Sequence, residues 1–599
     1  MHRFPGQRRD KNRSETPQVE NPGKTIARLW HYLSREKKGI ILAVIMISIS
    51  TIGSLMGPFL MGKAIDLYII RADIPGLARI SLLMITVYII TSIFRWLQQY
   101  IMIGVSQRTL KNLRDNLFHK LQTLSLKFFD NRTHGELMSR LTNDIENINV
   151  VMTQSIIQFV ESILSVSGIL VLMLILNYQL TIITLFIVPL ILLFTKFITK
   201  YTRKNFSQRQ KNLGDLNGYI EENITAEKVV KIYCQEEKTI NKFNSINERF
   251  RISAIKARIY SSIMGPVMNL MNNFSFAFIA GLGGWLTITG VATVGTVAAF
   301  LNYIRRFNRP LRSIAQQYNN IQSALAGAER VFEIIDQTPE IKNATDAETV
   351  DNIKGKVVFS EVTFSYDEEE IVLNNINFKA KPGEMLALVG PTGAGKTTII
   401  NLLTRFYDIN QGKILIDDKD IKKYKIQDLR SRIGIVLQDT YLFSDTVREN
   451  IRYGRLDASD KEIEQAAELA NASHFIQHLP EGYDTELREE ASNLSQGQRQ
   501  LISIARTILA EPDILILDEA TSSIDTRTEK HIQEAMKELM KNRTSFVIAH
   551  RLSTIENADK ILVIRDGKII EKGSHHELLQ QDGFYNNLYY SQFQDADVV

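Results

Sequence analysis

The feature that most constrains this chain is a series of long apolar runs in its first 300 residues. Five of these runs carry no charged side chain: residues 39–62, 80–94, 162–176, 180–195 and 259–286. A hydrocarbon layer of about 30 Å requires about 20 mostly apolar residues of a helix, and the shorter runs reach that length with weakly polar flanks. A sixth run, 293–304, is shorter and continues into Arg305 and Arg306. It is kept because an even number of crossings returns the chain to its starting side, so the pattern predicts six transmembrane helices.

The distribution of lysine and arginine predicts the orientation of these helices. The segment before Gly39 is basic, and so are the long connections 107–150 and 196–258. By the positive-inside rule they are cytoplasmic, which places a multi-pass protein in the cell membrane with both termini in the cytoplasm. The connections 177–179 and 287–292 are short and uncharged, as external turns can be, although the first external loop carries Lys63, Arg71 and Arg79.

Two further properties limit the function. The formal charge of +5 follows from this topology, and no basic patch interleaved with aromatic residues accompanies it, so no nucleic-acid partner is expected. The single cysteine, Cys234, cannot form an internal disulfide or a cysteine-based metal site. We expect it to be a buried or idle thiol. The N-terminal segment has no short apolar core followed by a cleavage site, so the first membrane helix is predicted to act as an uncleaved signal.

The C-terminal half carries a phosphate-binding pattern in its required context. The strand-like residues 385–389 run directly into GPTGAGKT at 390–397, and a helical pattern follows. This is the G-x-x-x-x-G-K-[ST] loop, in which glycines let backbone N–H groups close around phosphates and the helix N-terminus adds its dipole. Lys396 is predicted to reach the β and γ phosphates, and the Thr397 hydroxyl to bind Mg²⁺.

A second apolar strand, 514–517, ends in two adjacent acids, Asp518 and Glu519. Continuous apolarity indicates a strand buried on both faces, so the carboxylates are expected at its C-terminal end, where doubly wound sheets bind their ligands. Asp518 is predicted to hold the Mg²⁺ shell, and Glu519 to polarise the attacking water. A solvated acidic strand end is the alternative.

The order of the motifs identifies a resemblance. Tyr366, the phosphate loop, Gln438, the segment LSQGQ at 494–498, the segment LILDEATS at 515–522, Asp525 and His550 follow one another as in an ATP-binding cassette. From about residue 25 to 590 the chain resembles a half-transporter of the ABC exporter family, in particular one subunit of the bacterial heterodimeric exporters of drugs and lipids.

The resemblance implies a fold and a set of domains. The fold is an all-α six-helix transmembrane domain with long cytoplasmic helical extensions, followed by an α/β P-loop nucleotide-binding domain. The domains implied are a disordered cytoplasmic leader (1–24), the transmembrane domain (25–325), a linker (326–353), the cassette (354–590) and a tail (591–599).

The resemblance also implies site residues, with ATP and Mg²⁺ as cofactors. Tyr366 would stack on adenine, Gln438 would lie near Mg²⁺ and the water, and His550 would contact the γ-phosphate and orient Glu519. The catalytic set is therefore Lys396, Gln438, Glu519 and His550, and the metal set is Thr397, Gln438 and Asp518. The nucleotide contacts implied are Tyr366, Gly390, Pro391, Thr392, Gly393, Ala394, Gly395, Lys396, Thr397, Thr398, Ser495, Gly497 and Gln498.

In the family the segment 494–498 lies across a dimer interface. Ser495 and the Gly497 amide would then donate to the γ-phosphate of ATP held by the partner's phosphate loop. The family pattern is usually LSGGQ, and here Gln496 replaces the first glycine; upstream, Arg488 and Ala491 stand where the family normally has glycines. The site completed by this loop is expected to turn over poorly, which favours a heterodimer with a second half-transporter, although a homodimer is possible.

The resemblance gives the two long cytoplasmic connections a coupling role, because in the family their tips dock on the cassettes. The matching residues are Phe128, Phe129, Asp130, Gly135 and Glu136 in the first connection, and Gly218, Glu222 and 229–237 in the second. ATP binding would close the cassettes and hydrolysis would let them part, which drives alternating access.

The sequence constrains the identity of the transported molecule less than it constrains the nucleotide site. The charged residues Arg95, Glu161, Arg305 and Arg306 fall inside or at the edge of spans, where they either line a cavity or, for Arg95 and Glu161, form a structural ion pair. The fifth span offers a soft, aromatic and amide-bearing surface suited to apolar ligands: Met264, Met268, Met271, Asn269, Asn272, Asn273, Phe274 and Phe276. Its glycines Gly281, Gly283 and Gly284 indicate close helix packing, and packing alone could explain the whole surface.

The function predicted is ATP-driven export of small amphipathic drugs or lipids, with membrane lipids as a further partner. The alternatives are a lipid flippase and a nucleotide-gated regulator or channel that does not pump. Glu519 speaks against the regulator.

Overall fold

The computed structural model describes residues 21–367, 370–437, 440–488, 491–518, 526–549 and 552–593. They divide into two compact units. The first extends to Gln122 and resumes at His134–Gln337, and the second comprises Thr123–Thr133 and the chain from Thr338 onward. The short segment Thr123–Thr133 therefore belongs to the second unit although it interrupts the first in sequence.

The first unit is helical throughout. Its helices are α1 (Pro22–Ser34), α2 (Lys37–Ala64), α3 (Ile74–Thr123), α5 (His134–Ser139), α6 (Ile145–Val150), α7 (Ile156–Leu176), α8 (Tyr178–Thr225), α9 (Glu227–Ile232), α10 (Glu236–Ile288) and α11 (Val294–Asp336), and α4 (Leu126–Asp130) lies in the second unit. Three π-helical segments, Ile65–Ile69, Arg140–Asp144 and Val151–Ser155, continue α2, α5 and α6 respectively.

Each of the six predicted apolar runs lies within one long helix: α2, α3, α7, α8, α10 or α11. Among the described residues, three stretches are long and apolar enough to cross a membrane, namely Lys37–Ile69, Ile74–Thr123 and His134–Leu176. The predicted cytoplasmic connections are also helical, because α3, α8 and α10 continue far beyond the apolar runs.

Side-chain caps determine where several of these helices begin. Asn177 accepts a hydrogen bond from the Leu180 amide (3.0 Å) at the start of α8. Thr293 caps α11 in the same way, and the carboxylate of Asp66 accepts from the Gly295 amide (2.8 Å). Such caps satisfy amides that have no partner inside the helix, so they fix the turn at which each helix starts.

The apolar core of the first unit lies where α2, α7, α8, α10 and α11 meet. The helix α11 contributes Ala299, Phe300, Tyr303, Ile304 and Phe307 to it, which are residues of one helical face. The Tyr303 hydroxyl is buried there and donates to the carbonyl of Leu55 (2.8 Å).

A buried ionic cluster joins the C-terminal part of α11 to the π-helical segment Arg140–Asp144. Asp144 is 6% exposed and accepts two hydrogen bonds from Arg330, one of them at 2.9 Å from Nε. Arg140, also buried, contacts Glu136 and Glu333. The sequence analysis did not identify this cluster, since its members lie up to 193 positions apart.

Arg95 and Glu161 form the predicted ion pair. The prediction of close packing at the glycines holds for Gly283, where a Cβ would lie 2.9 Å from Val297 Cγ1. Within the part of the chain that the structure describes, a Cβ on Gly281 or Gly284 would have no atom of another helix within 4 Å. The prediction for Cys234 is wrong in one respect, because the thiol is exposed. It lies in the turn between α9 and α10, where its backbone has φ = +49°.

The second unit contains two sheets. Its strands are β1 (Val357–Phe364), β2 (Leu373–Ala380), β3 (Met385–Val389), β4 (Gln411–Ile416), β5 (Lys419–Asp420), β6 (Ile433–Val436), β7 (Ile514–Asp518), β8 (Thr544–Ile548), β9 (Lys560–Arg565) and β10 (Lys568–Gly573). An antiparallel sheet has the order β2-β1-β4-β5, and a mostly parallel sheet has the order β10-β9-β3-β8-β7-β6, with only β10 antiparallel to its neighbour among the described strands.

The helices that cover these sheets are α12 (Lys396–Leu403), α13 (Ile426–Ser431), α14 (Val447–Arg452), α15 (Asp460–Leu469), α16 (Ser473–Gln477), α17 (Gln496–Ala510), α18 (Thr526–Met540), α19 (Leu552–Glu556), α20 (His575–Gln580) and α21 (Phe584–Phe593). Short 3₁₀ turns lie at Ile421–Lys423 and Gly482–Asp484. The predicted linker 326–353 begins inside α11, which continues to Asp336, and the predicted tail begins inside α21.

Candidate nucleotide-binding site

The phosphate loop connects β3 to α12, as the sequence predicts. Its glycines hold backbone conformations that other residues adopt only with strain: φ is +84° at Gly393 and +104° at Gly395. A Cβ on Gly395 would lie 2.6 Å from Leu373 Cδ2, and one on Gly390 would overlap the carbonyl oxygen of Ile564. Because Gly395 is also the N-cap and has no side chain, the first-turn amides of α12 are left for an anion.

Lys396 lies inside this loop. It is buried, and its ammonium donates to the carbonyls of Gly390 (2.7 Å) and Pro391 (3.0 Å). Burial lowers the pKa of this ammonium, while the nearby carboxylate of Asp518 acts in the opposite direction. The charges of Lys396 and Asp518 therefore act on each other, although the two residues were predicted from separate motifs.

The hydroxyls that follow Lys396 have different surroundings. Thr397 is exposed, whereas Thr398 is buried under Tyr366. The Tyr366 hydroxyl donates to Thr398 Oγ1 (3.2 Å) and accepts from Asn401 Nδ2 (3.2 Å). These bonds attach the predicted adenine-stacking ring to α12 itself.

The parallel sheet brings Asp518 to the edge where the phosphate loop begins. Leu388 of β3 pairs with Ile548 of β8, which in turn pairs with Asp518 of β7. With strands about 4.8 Å apart, Asp518 is roughly 10 Å from the β3 backbone across the sheet. In sequence, Glu519 directly follows Asp518, His550 is two positions after Ile548, and Gln438 is two positions after the end of β6, but all three lie outside the described residues.

The loop at 494–498 begins α17. Ser495 is the N-cap: its Oγ accepts from the Gln498 amide (3.2 Å), and the Gln498 side chain accepts from the Ser495 amide (2.9 Å). This capping box was recognisable as S-x-x-Q, a signal that the sequence analysis did not use. Since the hydroxyl oxygen only accepts in this box, its proton remains able to donate to a phosphate oxygen. The Ser495 side chain is exposed, while Gly497 is buried.

Upstream of this loop, Arg488 and Ala491 replace the glycines of the family pattern, and the backbone at Ala491 is strained. Ala491 is fully buried and has φ = +49°, a left-handed conformation that favours glycine. The family glycine expected there would adopt this conformation without strain. The Arg488 amide donates to Asn493 Oδ1 (3.1 Å), so this residue supports the loop through its backbone.

The phosphate loop and the 494–498 loop rest on different apolar cores. Ala394 belongs to a cluster formed by β1 to β4, α12 and their neighbours, whereas Leu494 belongs to a cluster built from α14 to α18 with β6 and β7.

The segment Thr123–Thr133 packs on this unit close to the nucleotide residues. Phe128 is buried, Lys127 Nζ lies 3.0 Å from Glu340 Oε1, and Asp130 accepts a hydrogen bond from the buried Tyr407 hydroxyl. The Tyr407 ring meets Tyr366 edge-on, with 4.9 Å between ring centroids. Tyr407 was missed by the sequence analysis, since it is 277 positions from Asp130 and no motif links the two.

The residues present fit a Mg²⁺–nucleotide complex. The glycine conformations leave room for phosphate oxygens, and Thr397 and Asp518 supply a hydroxyl and a carboxylate, the hard oxygen ligands that Mg²⁺ prefers. No cluster of three His, Cys, Asp or Glu side chains occurs among the described residues.

Comparison with known proteins agrees with these features. Residues 40–311 match the model of the ABC transporter transmembrane region, and residues 373–522 match the ABC transporter model. An uncharacterized ABC transporter ATP-binding protein of Bacillus subtilis, YfiC, is 49% identical over 570 residues, which cover 95% of this chain and 94% of that protein. A fatty acid ABC transporter ATP-binding/permease protein of Mycobacterium bovis is 42% identical over 513 residues, covering 86% of this chain and 81% of that protein.

Among solved structures, a bacterial Atm1-family ABC exporter with ATP bound superposes with a TM-score of 0.74 at 31% identity. The match covers 93% of this chain and 98% of that one. This chain is therefore a membrane protein of the ABC transporter family, an exporter half-transporter in which a helical transmembrane region is fused to an ATP-binding cassette.

Proposed function

We propose that this chain is one subunit of a dimeric exporter that hydrolyses ATP and moves small amphipathic molecules, drugs or lipids, by alternating access. The main support for the proposal is that the phosphate loop, Asp518 and the end of the strand before His550 all lie at one edge of the parallel sheet. The other half of the chain consists of long apolar helices. ABC half-transporters function as dimers, and the fatty acid transporter among the relatives supports a lipid-like cargo.

The residues of the cassette would divide the chemistry as follows. The amides of α12 and Lys396 hold the phosphates, and the Tyr366 ring packs against adenine. Glu519 accepts the proton of the attacking water, and His550 and Gln438 orient the γ-phosphate and that water. Thr397, Asp518 and Gln438 would hold Mg²⁺, which neutralises charge on the phosphates when bound.

The second half of each site would come from a partner. The exposed Ser495 hydroxyl and the Gly497 amide form an anion-binding helix start that is directed to another subunit's nucleotide. We favour a heterodimer over a homodimer because Gln496 replaces a glycine next to these donors and Ala491 is strained.

The transmembrane half would cross the cell membrane six times with both termini in the cytoplasm. The domain limits proposed for it and for the cassette are 25–325 and 354–590, with 326–353 as the linker between them. Motion of the cassette would reach the membrane helices through the docked segment Thr123–Thr133 and through the second tip around residues 229–237.

Reconstitution into vesicles tests the proposal. Purified full-length protein, with any copurifying subunit, should accumulate a fluorescent long-chain fatty acid or a labelled drug in inside-out vesicles when ATP is added. Glu519→Gln should retain ATP binding and lose both hydrolysis and accumulation. Wild-type accumulation without ATP, or unchanged turnover of Glu519→Gln, would exclude the proposed mechanism. Movement of labelled lipid between leaflets without accumulation of any soluble probe would favour a flippase.

A further inference from the structure

The sixth long helix carries a polar face in the middle of its apolar part. Its buried face, Ala299 to Phe307, packs into the core of the first unit. On the opposite face lie Asn302, Arg305, Arg306 and Arg309, which are spaced at i, i+3, i+4 and i+7 and so align along the helix. We call these four residues the arginine face. The three arginines are exposed, and Asn302 is half-buried.

The depth of the arginine face places it well inside the membrane. At 1.5 Å per residue, Arg305 lies about 17 Å from the start of α11, roughly half the thickness of a 30 Å hydrocarbon layer. A charged side chain at that depth faces protein or water and not lipid tails. The arginine face therefore lines a hydrated cavity or a subunit interface.

Neighbouring helices hold two of these guanidinium groups in place. Arg306 donates one N–H to the carbonyl of Ser54 on α2 (2.7 Å), and the guanidinium of Arg305 lies 4.6 Å from the centroid of the Phe276 ring on α10. Each contact uses only part of the donor set, because a guanidinium has five N–H groups. The contacts with the Ser54 carbonyl and the Phe276 ring therefore orient the two guanidinium groups without neutralising their positive charges.

No carboxylate of the membrane helices balances this charge. The five uncharged runs have four acids within seven positions of their ends: Glu36, Asp66, Asp73 and Glu161. Glu36 is paired with Arg108, and Asp73 accepts a hydrogen bond from the Gly76 amide. Asp66 caps the start of α11, and Glu161 is paired with Arg95. Within the described residues, none of Arg305, Arg306 and Arg309 has a carboxylate at ion-pair distance.

We propose that the arginine face recognises the anionic headgroup of the transported molecule, so that the cargo is an amphiphile carrying a carboxylate or a phosphate. Guanidinium groups bind both of these headgroups through paired N–H donors. The Phe276 ring beside Arg305 on α10 suits the apolar tail. This inference rests on the proposed export function and narrows its substrate class.

Equilibrium binding without ATP tests the inference separately from transport. Full-length protein in phosphatidylcholine nanodiscs would be titrated with a fluorescent long-chain fatty acid, with the corresponding alcohol and with a lysophosphatidic acid. Wild type should bind at least one of the anionic probes about tenfold more tightly than the alcohol. Preference for the fatty acid would identify a carboxylate cargo, and preference for the lysophosphatidic acid a phosphate cargo. Equal affinity for all three would overturn the proposal.

Substitutions then test whether the arginine face causes the preference for anionic probes. Arg305→Gln/Arg306→Gln should reduce the affinity for the preferred anionic probe about tenfold and leave that for the alcohol unchanged. Arg305→Lys/Arg306→Lys, which keeps the charge, should retain most of the affinity, and Arg79→Gln in α3 is the matched control that should bind as wild type. If the glutamine variant also loses affinity for the alcohol, the arginines serve packing and not headgroup recognition. If the glutamine variant dissociates into monomers in size-exclusion chromatography, the arginines belong to a subunit interface. Failure of vesicle transport with intact anion binding would refute the export function and not this site.

Discussion

Tyrosine 407 gives the sharpest test of how the segment Thr123–Thr133 is held on the cassette. Replacing Tyr407 with phenylalanine removes the hydroxyl that donates to Asp130 and keeps the ring that packs against Tyr366. The pKa of this hydroxyl is raised, mainly by burial and secondly by the bond to the Asp130 carboxylate. The hydroxyl therefore remains a neutral donor across the physiological pH range. The variant should therefore loosen the segment without disturbing the core.

The structure sets the size of the effect. A hydrogen bond to a charged group contributes about 1.5–3 kcal/mol, and the exposure of Asp130 reduces this to about 1–2 kcal/mol. That free energy corresponds to an opening of the segment about 5–30 times more frequent. The other polar contact, Lys127 with Glu340, is 40% and 56% exposed and should contribute well under 1 kcal/mol.

Hydrogen exchange measures this opening directly. The amides of Phe128, Asn131 and Arg132 are hydrogen-bonded within the segment and should exchange 5–30 times faster in Tyr407→Phe. Tyr424→Phe is a matched control, because its buried hydroxyl donates to the carbonyl of Ile416 inside the same core cluster and does not touch the segment. Unchanged exchange in Tyr407→Phe, or equal acceleration in Tyr424→Phe, would refute the reasoning.

Four further predictions concern the rest of the chain. Gly390→Ala should weaken ATP binding at least about tenfold in a nucleotide titration, since its Cβ would displace the loop from Ile564. Asp144→Asn should lower the thermal midpoint, with a loss of about 2 kcal/mol, because it leaves Arg330 without its buried counter-charge. Gln496→Gly should raise ATP turnover if this residue crowds the partner's phosphate, and an unchanged rate would contradict that role. Burial lowers the pKa of His575, so its neutral form contributes stability that is complete above about pH 6.5 and is lost as the pH falls through the lowered pKa. His575→Gln should flatten the dependence of the thermal midpoint on pH between 7.5 and 5.5.

Local patterns predicted much of the architecture. The apolar runs located all six long helices, and the strand-to-helix context of GPTGAGKT located β3, the loop and α12. The continuous apolar run before Asp518 correctly indicated a buried parallel strand. These predictions succeeded because each depends on residues that are neighbours in sequence.

Contacts between distant residues could not be predicted in this way. The bond from Tyr407 to Asp130 and the ionic cluster of Arg140, Asp144 and Arg330 join segments separated by more than 180 positions. The exposure of Cys234 and the open surroundings of Gly281 depend on tertiary packing, which a single sequence does not encode locally. The left-handed conformation of Ala491 was predictable only as a departure from a glycine pattern.

The central claim is that the loop 494–498 completes a nucleotide site on another polypeptide. Site-specific photocrosslinking in cells tests it most directly, with a photoreactive amino acid at the exposed position 496 of full-length protein. We expect an ATP-dependent adduct that migrates as a dimer and joins position 496 to a phosphate-loop peptide of a second polypeptide, either another half-transporter or another copy. An adduct to residues 390–397 within the same monomer would contradict it.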